Sequence, residues 1–336
     1  MKKAIKLTVS FALSALFLWI AFRKVNLQEA LHVLRELDLF YVGLFILSQL
    51  FTQAFRIVRW GILTRPFATL SASSLIRISN LGMMLVLVLP LRLGEFARPY
   101  LVKREANAPL SAGIGAVAVE RTLDGLLVTL FFFLSTSVIP AEYAIPTGLR
   151  VAAFTALGIF SGAAFVIVGT LLSHGALLGV LRKVIGLVSQ NIAEKVVNMV
   201  DAFVSGLRSL PNWRSAFMLV AITTAYWVIN GLGYYAALVG FSWGLPWIAG
   251  YVIVSVVVLG IMIPAGPGFL GTYQGAILLG LAVFHIDATQ AAAYGLVVYP
   301  CTVLIQLALG LPYLFGRTAT VRQIMDAADE PSVNPA

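Results

Sequence analysis

The sequence predicts an all-α polytopic membrane protein with about six spanning helices, two opposed re-entrant hairpins and an inverted-topology pseudo-repeat. Composition is the first observation: 60% of the 336 residues are hydrophobic and only 11% are charged, whereas soluble proteins carry about 25% charged residues. The second observation is a series of apolar runs approaching the roughly 20 residues that cross a bilayer. The third is a pair of similar Pro/Gly-rich breaks, "LPLRLGE" and "IPAGPGF", about half a chain apart.

Six apolar runs are long enough to be spanning helices. They lie at residues 4–22, 38–62, 111–138, 149–172, 215–240 and 288–316. The first run has a basic start, as signal peptides do, but it lacks a small-residue cleavage site. We therefore expect it to be an uncleaved membrane helix.

The distribution of Lys and Arg predicts the orientation of the chain, because cytoplasmic loops are enriched in these residues. Connector 173–214 carries five of them, whereas 139–148 and 241–246 carry none. We therefore place the first connector inside and the other two outside. The basic N-terminus and the tail 317–336 are placed in the cytoplasm, which makes the protein integral to the cytoplasmic membrane. Loop 23–37 is basic and departs from the rule.

Two shorter apolar segments do not fit a simple crossing. Segment 74–89 stops at Pro90 and segment 246–263 stops at Pro264. The predicted orientation puts both ends of 74–110 in the cytoplasm and both ends of 246–287 outside. Each region must then enter the membrane and return on the same side, so the sequence predicts re-entrant hairpins from opposite faces.

The two hairpin tips share the pattern apolar-Pro-x-x-x-Gly with an offset of 174 residues. That offset carries 38–62 onto 212–236 and 111–138 onto 285–312, where helices are also predicted. The chain is therefore expected to form a single domain, 1–316, with pseudo-repeat halves 38–138 and 212–316. In inverted repeats the helix breaks meet and form the binding site. Non-helical backbone at membrane depth needs protein or water as partner, so a polar central cavity is expected.

Six charged residues lie at the first tip or in the helix that follows it: Arg92, Glu95, Arg98, Glu120, Arg121 and Asp124. A charge deep in the membrane costs about 2.5–3.5 kcal/mol, so these side chains should face a cavity or a partner. Arginine is suited to bidentate phosphate binding. We expect the three arginines to hold a phosphate, with the acids orienting them or meeting a cationic headgroup. The alternative is an ion-pair lattice that only stabilises the hairpin.

Two further arginines, Arg56 and Arg59, lie in the helix before the first hairpin. We expect them to be anchors near the cytoplasmic surface, as the excess of basic residues on that side suggests.

At the second tip, the groups available for substrate contacts are mainly backbone amides. We expect substrate contacts from a set that shares this tip: Pro264, Gly266, Gly268, Gly271, Tyr273 and Gln274. Exposed backbone amides can bind phosphate oxygens. Tyr273 and Gln274 are the sizeable polar side chains of this tip.

The sequence carries no recognised signature of catalysis or of a metal site. It has no His-Glu-x-x-His and no Gly-x-Ser-x-Gly, its three histidines are far apart, and its single cysteine, Cys301, excludes an intramolecular disulfide. We therefore expect no catalytic residue, no cofactor and no metal. The net charge of +9 is not arranged as a basic tract interleaved with aromatics, so no nucleic-acid partner is expected.

Three motifs resemble a known family. "LPLRLGEFARPYLVKR", "VERTLDGL" and "IPAGPGFLGTYQ" are similar to the lysylphosphatidylglycerol synthase transmembrane-region family over about residues 4–316. The resemblance implies a protein that moves an amino-acylated or glycosylated, phosphate-bearing lipid between leaflets, without catalysis by this domain. The family pattern usually ends in Glu where this chain has Gln274, which weighs against proton coupling at that position. We expect a stand-alone member with no aminoacyltransferase domain after residue 316.

The expected function is therefore that of a lipid flippase with a phosphate-bearing membrane lipid as substrate. Two alternatives stay open: an ion-coupled transporter of a small soluble anion, and a non-catalytic scaffold subunit of a lipid- or glycan-modifying enzyme. The sequence also leaves open assembly as a homo-oligomer or with a lipid-synthesising enzyme.

Overall fold

The computed structural model describes most of the chain. The described residues are 12, 15–19, 22–23, 25–140, 142–143, 145–172, 174–187, 189–191, 193–194, 197, 213–262 and 266–314. Within them the chain is helical throughout, with short connections and no strand. Most of the predicted first helix, much of connector 173–214 and the predicted tail 317–336 lie outside the described residues.

Among the described residues from 25 to 140, five helices and one 3₁₀ segment follow one another. They are α1 (Leu27–Arg35), α2 (Leu39–Thr64), α3 (Ala72–Val88), a 3₁₀ segment that we call the first tip (Pro90–Phe96), α4 (Ala97–Ala106) and α5 (Leu110–Val138).

From residue 147 on, the described residues form six further helices with defined bounds and a second 3₁₀ break. Helices α6 (Thr147–Leu172) and α7 (His174–Gly186) precede α8 (Trp213–Gly240), α9 (Ile248–Ile261), the second tip (Pro267–Phe269), α10 (Thr272–Ala282) and α11 (Ala288–Gly310). A last 3₁₀ turn covers Leu311–Tyr313.

Four helices in the described part of the chain are long and apolar enough to cross a membrane: Leu39–Thr64, Thr147–Gly169, Arg214–Gly240 and Ala288–Tyr313. They agree with four of the six predicted spans, so the prediction of a helical integral membrane protein is confirmed. Helix α5 has 29 residues and carries Glu120, Arg121 and Asp124; it is not among these four. Helices α3 and α9 are apolar but shorter, as the sequence predicted.

Side-chain caps fix the starts of several helices. Asp38 accepts a hydrogen bond from the backbone N–H of Phe40 at the start of α2, at 2.9 Å. Ser71 caps α3, and Asp287 caps α11 through the N–H groups of Thr289 and Gln290. Such caps satisfy backbone donors that have no partner within the helix.

Helix α3 ends where the sequence breaks it. Leu89 is extended, as expected for a residue before proline, and Pro90 then begins the first tip. The tip folds back onto α3 so closely that a Cβ atom at Gly94 would lie 2.2 Å from the backbone carbonyl of Leu85. Only glycine allows this approach without a shift of the backbone.

The two halves are packed against each other. Helix α2 has its most extensive contact with α8, and the approach is close enough that a Cβ at Gly233 would meet the Ser48 hydroxyl at 1.9 Å. Helix α3 packs against α11, and the two tips are in contact with each other. The breaks of the two halves therefore meet inside the bundle.

Candidate anion-binding cavity

Five charged side chains from α2, α4 and α5 form one ion-pair network: Arg59, Arg98, Glu120, Arg121 and Asp124. Glu120 is its centre. One carboxylate oxygen of Glu120 accepts from Arg59 at 2.7 Å and from Arg121 at 2.9 Å, and the other accepts from Arg98 at 2.8 Å. Three arginines on one carboxylate leave the network with an excess of positive charge.

Asp124 lies one turn after Glu120, on the same face of α5. Its Oδ1 accepts from Arg59 Nη1 at 2.5 Å and from the indole N–H of Trp227 at 3.1 Å. Its other oxygen lies 3.3 Å from Arg121 Nη2. Arg59 thus ties α2 to both acids of α5.

The interpretation of Arg59 as a surface anchor was wrong. Its side chain is 1% exposed and pairs with Glu120 and Asp124. Its guanidinium also lies over the ring of Tyr226, 5.2 Å from the ring centroid. Two carboxylates on one face of a buried helix require a cation nearby, and the charged residues of α2 were the signal that could have identified it.

Arg56 is one turn before Arg59 and faces the cavity rather than a surface. It donates to the Tyr226 hydroxyl at 2.6 Å and to the Gln53 amide oxygen at 3.4 Å. Gln53 in turn donates to Asn80 at 2.7 Å. This chain of polar contacts joins α2, α3 and α8.

Exposure separates the members of the ion-pair network. The side chains of Arg59, Arg98, Glu120 and Asp124 are at most 9% exposed, whereas that of Arg121 is 37% exposed. Arg121 is therefore the one cation of the network with a substantial open surface. The other two arginines are buried and ion-paired with Glu120.

Arg98 binds only to protein groups through its terminal nitrogens. Both of its terminal nitrogens bind Glu120, at 2.8 and 3.3 Å, and its guanidinium stacks over Trp60 at 4.4 Å from the ring centroid. Arg98 does not line the cavity described below. The expectation that it holds phosphate directly does not fit this geometry; it positions Glu120 instead.

A cavity of about 280 Å³ opens beside the network, at the meeting point of the two halves. We call it the central cavity. Its polar wall includes Gln49, Arg56, Glu95, Arg121, Asp124, Tyr226, Trp227, Asn230, Tyr234, Tyr273, Tyr299, Thr302 and Gln306. Its apolar wall includes Met83, Val86, Leu87, Val254, Val257, Val258, Ile261, Met262, Phe269 and Val303.

The second tip contributes backbone to this cavity, and the helices around it contribute tyrosines. Gly268, with φ of +73°, presents its carbonyl oxygen to the hydroxyl of Tyr299 at 3.0 Å. The hydroxyls of Tyr273 and Tyr234 share a hydrogen bond at 2.6 Å. The hydrogen bonds around the second tip thus join uncharged groups, whereas the contacts around the first tip include ion pairs.

The side chain of Gln274 binds the backbone of its own helix start and does not face the cavity. Its side-chain oxygen accepts from the backbone N–H of Gly271 at 2.7 Å, which caps the start of α10. Gln274 does not line the central cavity, and the role in substrate binding expected for it does not fit this position.

The structure thus sorts the predicted site residues into three groups. Glu95, Arg121, Asp124, Gly268 and Tyr273 line the central cavity. Arg98 and Glu120 lie behind its wall, while Gly266 and Gly271 are buried beside the second tip. Pro264 and the side chain of Arg92 lie outside the described residues.

Some residues of the cavity were missed because they carry no motif. Tyr226, Trp227 and Asn230 follow one face of α8, and Gln306 lies near the end of α11. Uncharged polar residues in an apolar helix were the available signal. Among the residues that the structure covers, no group of three His, Cys, Asp or Glu side chains is placed to hold a metal ion.

Comparison with known proteins places these features in context. Residues 7–310 match the family described as "Lysylphosphatidylglycerol synthase TM region". The chain is 28% identical over 232 residues to "Glycosyltransferase AglD" of Haloferax volcanii, covering 62% of this chain and 37% of that protein. It is 28% identical over 213 residues to "UPF0104 membrane protein MJ1078" of Methanocaldococcus jannaschii, covering 61% of this chain and 82% of that protein. No solved structure matches.

Proposed function

The chain belongs to the lysylphosphatidylglycerol synthase transmembrane-region family, and we propose that it moves a phosphate-bearing lipid between the leaflets of a membrane. The observation that carries this proposal is the open guanidinium of Arg121 in the wall of the central cavity, 37% exposed. It belongs to a network of three arginines and two carboxylates. Arg56 and Glu95 also line the cavity, so four arginines face three carboxylates, and this net positive charge inside an apolar bundle favours the binding of an anion.

Arg121 is the direct phosphate ligand in this proposal. Arg56, also in the cavity wall, is placed to assist, since both guanidiniums border the same space. Arg59 and Arg98 are positioning residues: they hold Glu120 and Asp124, which in turn fix Arg121. Arginine can grip two phosphate oxygens with its planar fork.

The apolar wall of the central cavity supports a lipid over a small soluble anion. Valines, methionines and Phe269 stand next to the charged groups, so a phosphate and the first part of a hydrocarbon chain would both find suitable surroundings. A fully hydrated small anion would gain little from such a wall, whereas the hydrocarbon part of a lipid is removed from contact with polar groups by it. The chain spans about a third of the length of AglD, and the enzymatic activity in the name of that relative is not part of the proposal.

The proposed movement uses the two helix–tip–helix segments. We propose that α3 to α4 and α9 to α10 are re-entrant hairpins from opposite faces, related as an inverted pseudo-repeat. The offset of 174 residues carries Leu39–Thr64 onto 213–238 and Ala97–Ala106 onto 271–280, close to observed helices. Rocking of the two tips, which are in contact, would open the central cavity to each side in turn. Both termini are proposed to be cytoplasmic, in the cytoplasmic membrane.

A scaffold is the second candidate, because four of the five charges of the ion-pair network are almost fully buried and paired with one another. Such a lattice would hold the first tip even if nothing entered the cavity. In that case Arg121 would be a counter-ion without a ligand.

Transport by the purified protein in liposomes separates the two candidates. A fluorescent phosphatidylglycerol is added, and the outer leaflet is quenched chemically. We expect Arg121→Gln to slow lipid movement at least tenfold, while the exposed Arg150→Gln on α6 leaves it unchanged. Movement at the normal rate in Arg121→Gln, or no movement with the unaltered protein, would favour the scaffold.

A further inference from the structure

The wall of the central cavity contributed by α11 carries no charge. Tyr299, Thr302 and Gln306 lie on one face of this helix, at spacings of three and four residues, and all three line the cavity. Gln49 and Asn230, which border the same space, are joined by a hydrogen bond of 3.2 Å. The cavity therefore has a cationic part around Arg121 and a neutral polar part around α11. We call the second part the neutral face.

Gln306 is the feature of the neutral face that points to a ligand. The residue is 8% exposed, yet its amide oxygen has no hydrogen-bond partner. Buried amides are normally paired. The two ends of a glutamine amide can exchange by rotation, so this side chain can accept from a hydroxyl or donate to one.

The other members of the neutral face suit the same kind of group. The hydroxyl of Thr302 donates to the backbone oxygen of Val298 at 2.8 Å and is also hydrogen-bonded to Tyr273, which leaves it one lone pair to accept from a ligand. The rings of Tyr273 and Tyr299 lie 5.1 Å apart and provide a flat apolar surface beside these polar atoms. Amide and hydroxyl groups next to aromatic faces suit the mixed polar and apolar surface of a polyol ring.

We propose that the neutral face binds hydroxyl groups of the substituent carried by the lipid phosphate, and so selects a neutral polyol headgroup. This inference rests on the proposed function, because Arg121 must first hold the phosphate. The polyol is either a glycerol unit or a sugar, which share neighbouring hydroxyls on a short carbon frame.

A cationic headgroup, such as an amino-acyl group, fits this cavity less well. Asp124 already accepts from Arg59 and Trp227 and pairs with Arg121. Glu120 lies behind the wall with three arginine partners. Glu95, the third carboxylate, also lines the cavity and acts electrostatically on Arg121. Arg56, Arg59, Arg98 and Arg121 still outnumber the three carboxylates by one, so an ammonium group would meet a positive excess, whereas uncharged hydroxyls would not.

Four lipids with identical acyl chains test the proposal: phosphatidylethanol, phosphatidylglycerol, phosphatidylinositol and phosphatidylethanolamine. The first three carry the same single negative charge and differ in hydroxyls. Each competes with a fluorescent phosphatidylglycerol for the purified protein in mixed micelles. We expect phosphatidylglycerol or phosphatidylinositol to compete about fivefold better than phosphatidylethanol, the size of one net hydrogen bond, and phosphatidylethanolamine to compete worst. A preference for the inositol over the glycerol headgroup identifies a sugar-like substituent, and the reverse identifies glycerol.

Variants then assign the preference to the neutral face. Gln306→Met keeps the length of the side chain and Thr302→Val keeps its shape, and each should reduce the fivefold ratio toward one while leaving phosphatidylethanol binding unchanged. Gln290→Met, on the same helix but away from the cavity, is the matched control. Arg121→Gln should instead weaken all three anionic lipids together.

The outcomes separate this inference from the function on which it rests. Equal binding of the three anionic lipids, a preference for phosphatidylethanolamine, or equal weakening of every lipid by Gln306→Met and Thr302→Val overturns the neutral face alone. Lipid binding that does not depend on Arg121, or binding of none of the four lipids, overturns the proposed function as well.

Discussion

Arg98 and Glu120 form a two-point ion pair, with Nη1 2.8 Å from Oε2 and Nη2 3.3 Å from Oε1. The pair joins the helix that follows the first tip to the long helix α5. Both side chains are almost fully buried, and Trp60 covers the guanidinium from one side. This contact holds the first tip against the bundle. Substitutions in the ion-pair network should therefore change the stability of the protein.

Arg98→Ala should lower the thermal stability of the purified protein strongly. Removing one partner of a buried ion pair typically costs about 3–5 kcal/mol, because the other charge stays buried. Glu120 would keep Arg59 and Arg121, so we expect the low end of that range. The melting temperature in detergent is the measurement, with the exposed Arg150→Ala as control. Equal melting temperatures for the two variants would contradict the positioning role.

Arg59→Lys should also be destabilising, although it keeps the charge. Arg59 binds Glu120 and Asp124 at the same time through two nitrogens, and a single ammonium cannot reproduce that fork. We expect a loss of about 1.5–3 kcal/mol, the value of a hydrogen bond to a charged group. Arg56→Lys, one turn away and partly exposed, is the comparison and should cost less in the same melting experiment.

The double variant Glu120→Gln with Arg121→Gln tests whether these two residues form an isolated ion pair or belong to a larger network. If Glu120 and Arg121 were an isolated pair, removing both would be nearly neutral. The structure shows that Glu120 also holds Arg59 and Arg98, so the double variant leaves two buried cations with only Asp124. We therefore expect it to be less stable than Arg121→Gln alone. A double variant as stable as the unaltered protein would contradict the network described here.

The helices and the tips could be predicted from sequence because they depend on local signals. Apolar runs, Pro90 and the glycines of both tips gave segments close to the observed ones. The choice among the arginines could not be predicted in the same way. Whether Arg59, Arg98 or Arg121 faces the cavity depends on how α2 and α4 pack on α5, which is a long-range property. Likewise, Gln274 was expected in the site, but the need to cap α10 turns its side chain to Gly271.

Gly94→Ala tests whether the first tip needs its close approach to α3. A Cβ at this position would lie 2.2 Å from the carbonyl of Leu85, so the tip must move away. Helix α6 offers the matched control, because a Cβ at Gly158 would meet nothing within 4 Å. We expect Gly94→Ala to lower the melting temperature by several degrees, as a loss of about 2 kcal/mol would do. Gly158→Ala should be neutral or slightly stabilising, since alanine favours helix more than glycine.

Labelling of introduced cysteines tests the opposed hairpins. In a background of Cys301→Ser, single cysteines at Ser137 and Ser242 should react with an impermeant maleimide added outside intact cells, because both positions are exposed and are proposed to lie outside. A cysteine at Ser189 should react only after the membrane is opened. If the hairpins crossed the membrane instead, an extra crossing between α2 and α5 would reverse the side of Ser137 relative to the N-terminus. Protection of position 137 with reaction at position 189 would therefore contradict the inverted arrangement. Outside labelling at 137 would support a first tip that enters and leaves on the cytoplasmic side, and outside labelling at 242 would place the start of the second helix–tip–helix segment on the opposite face.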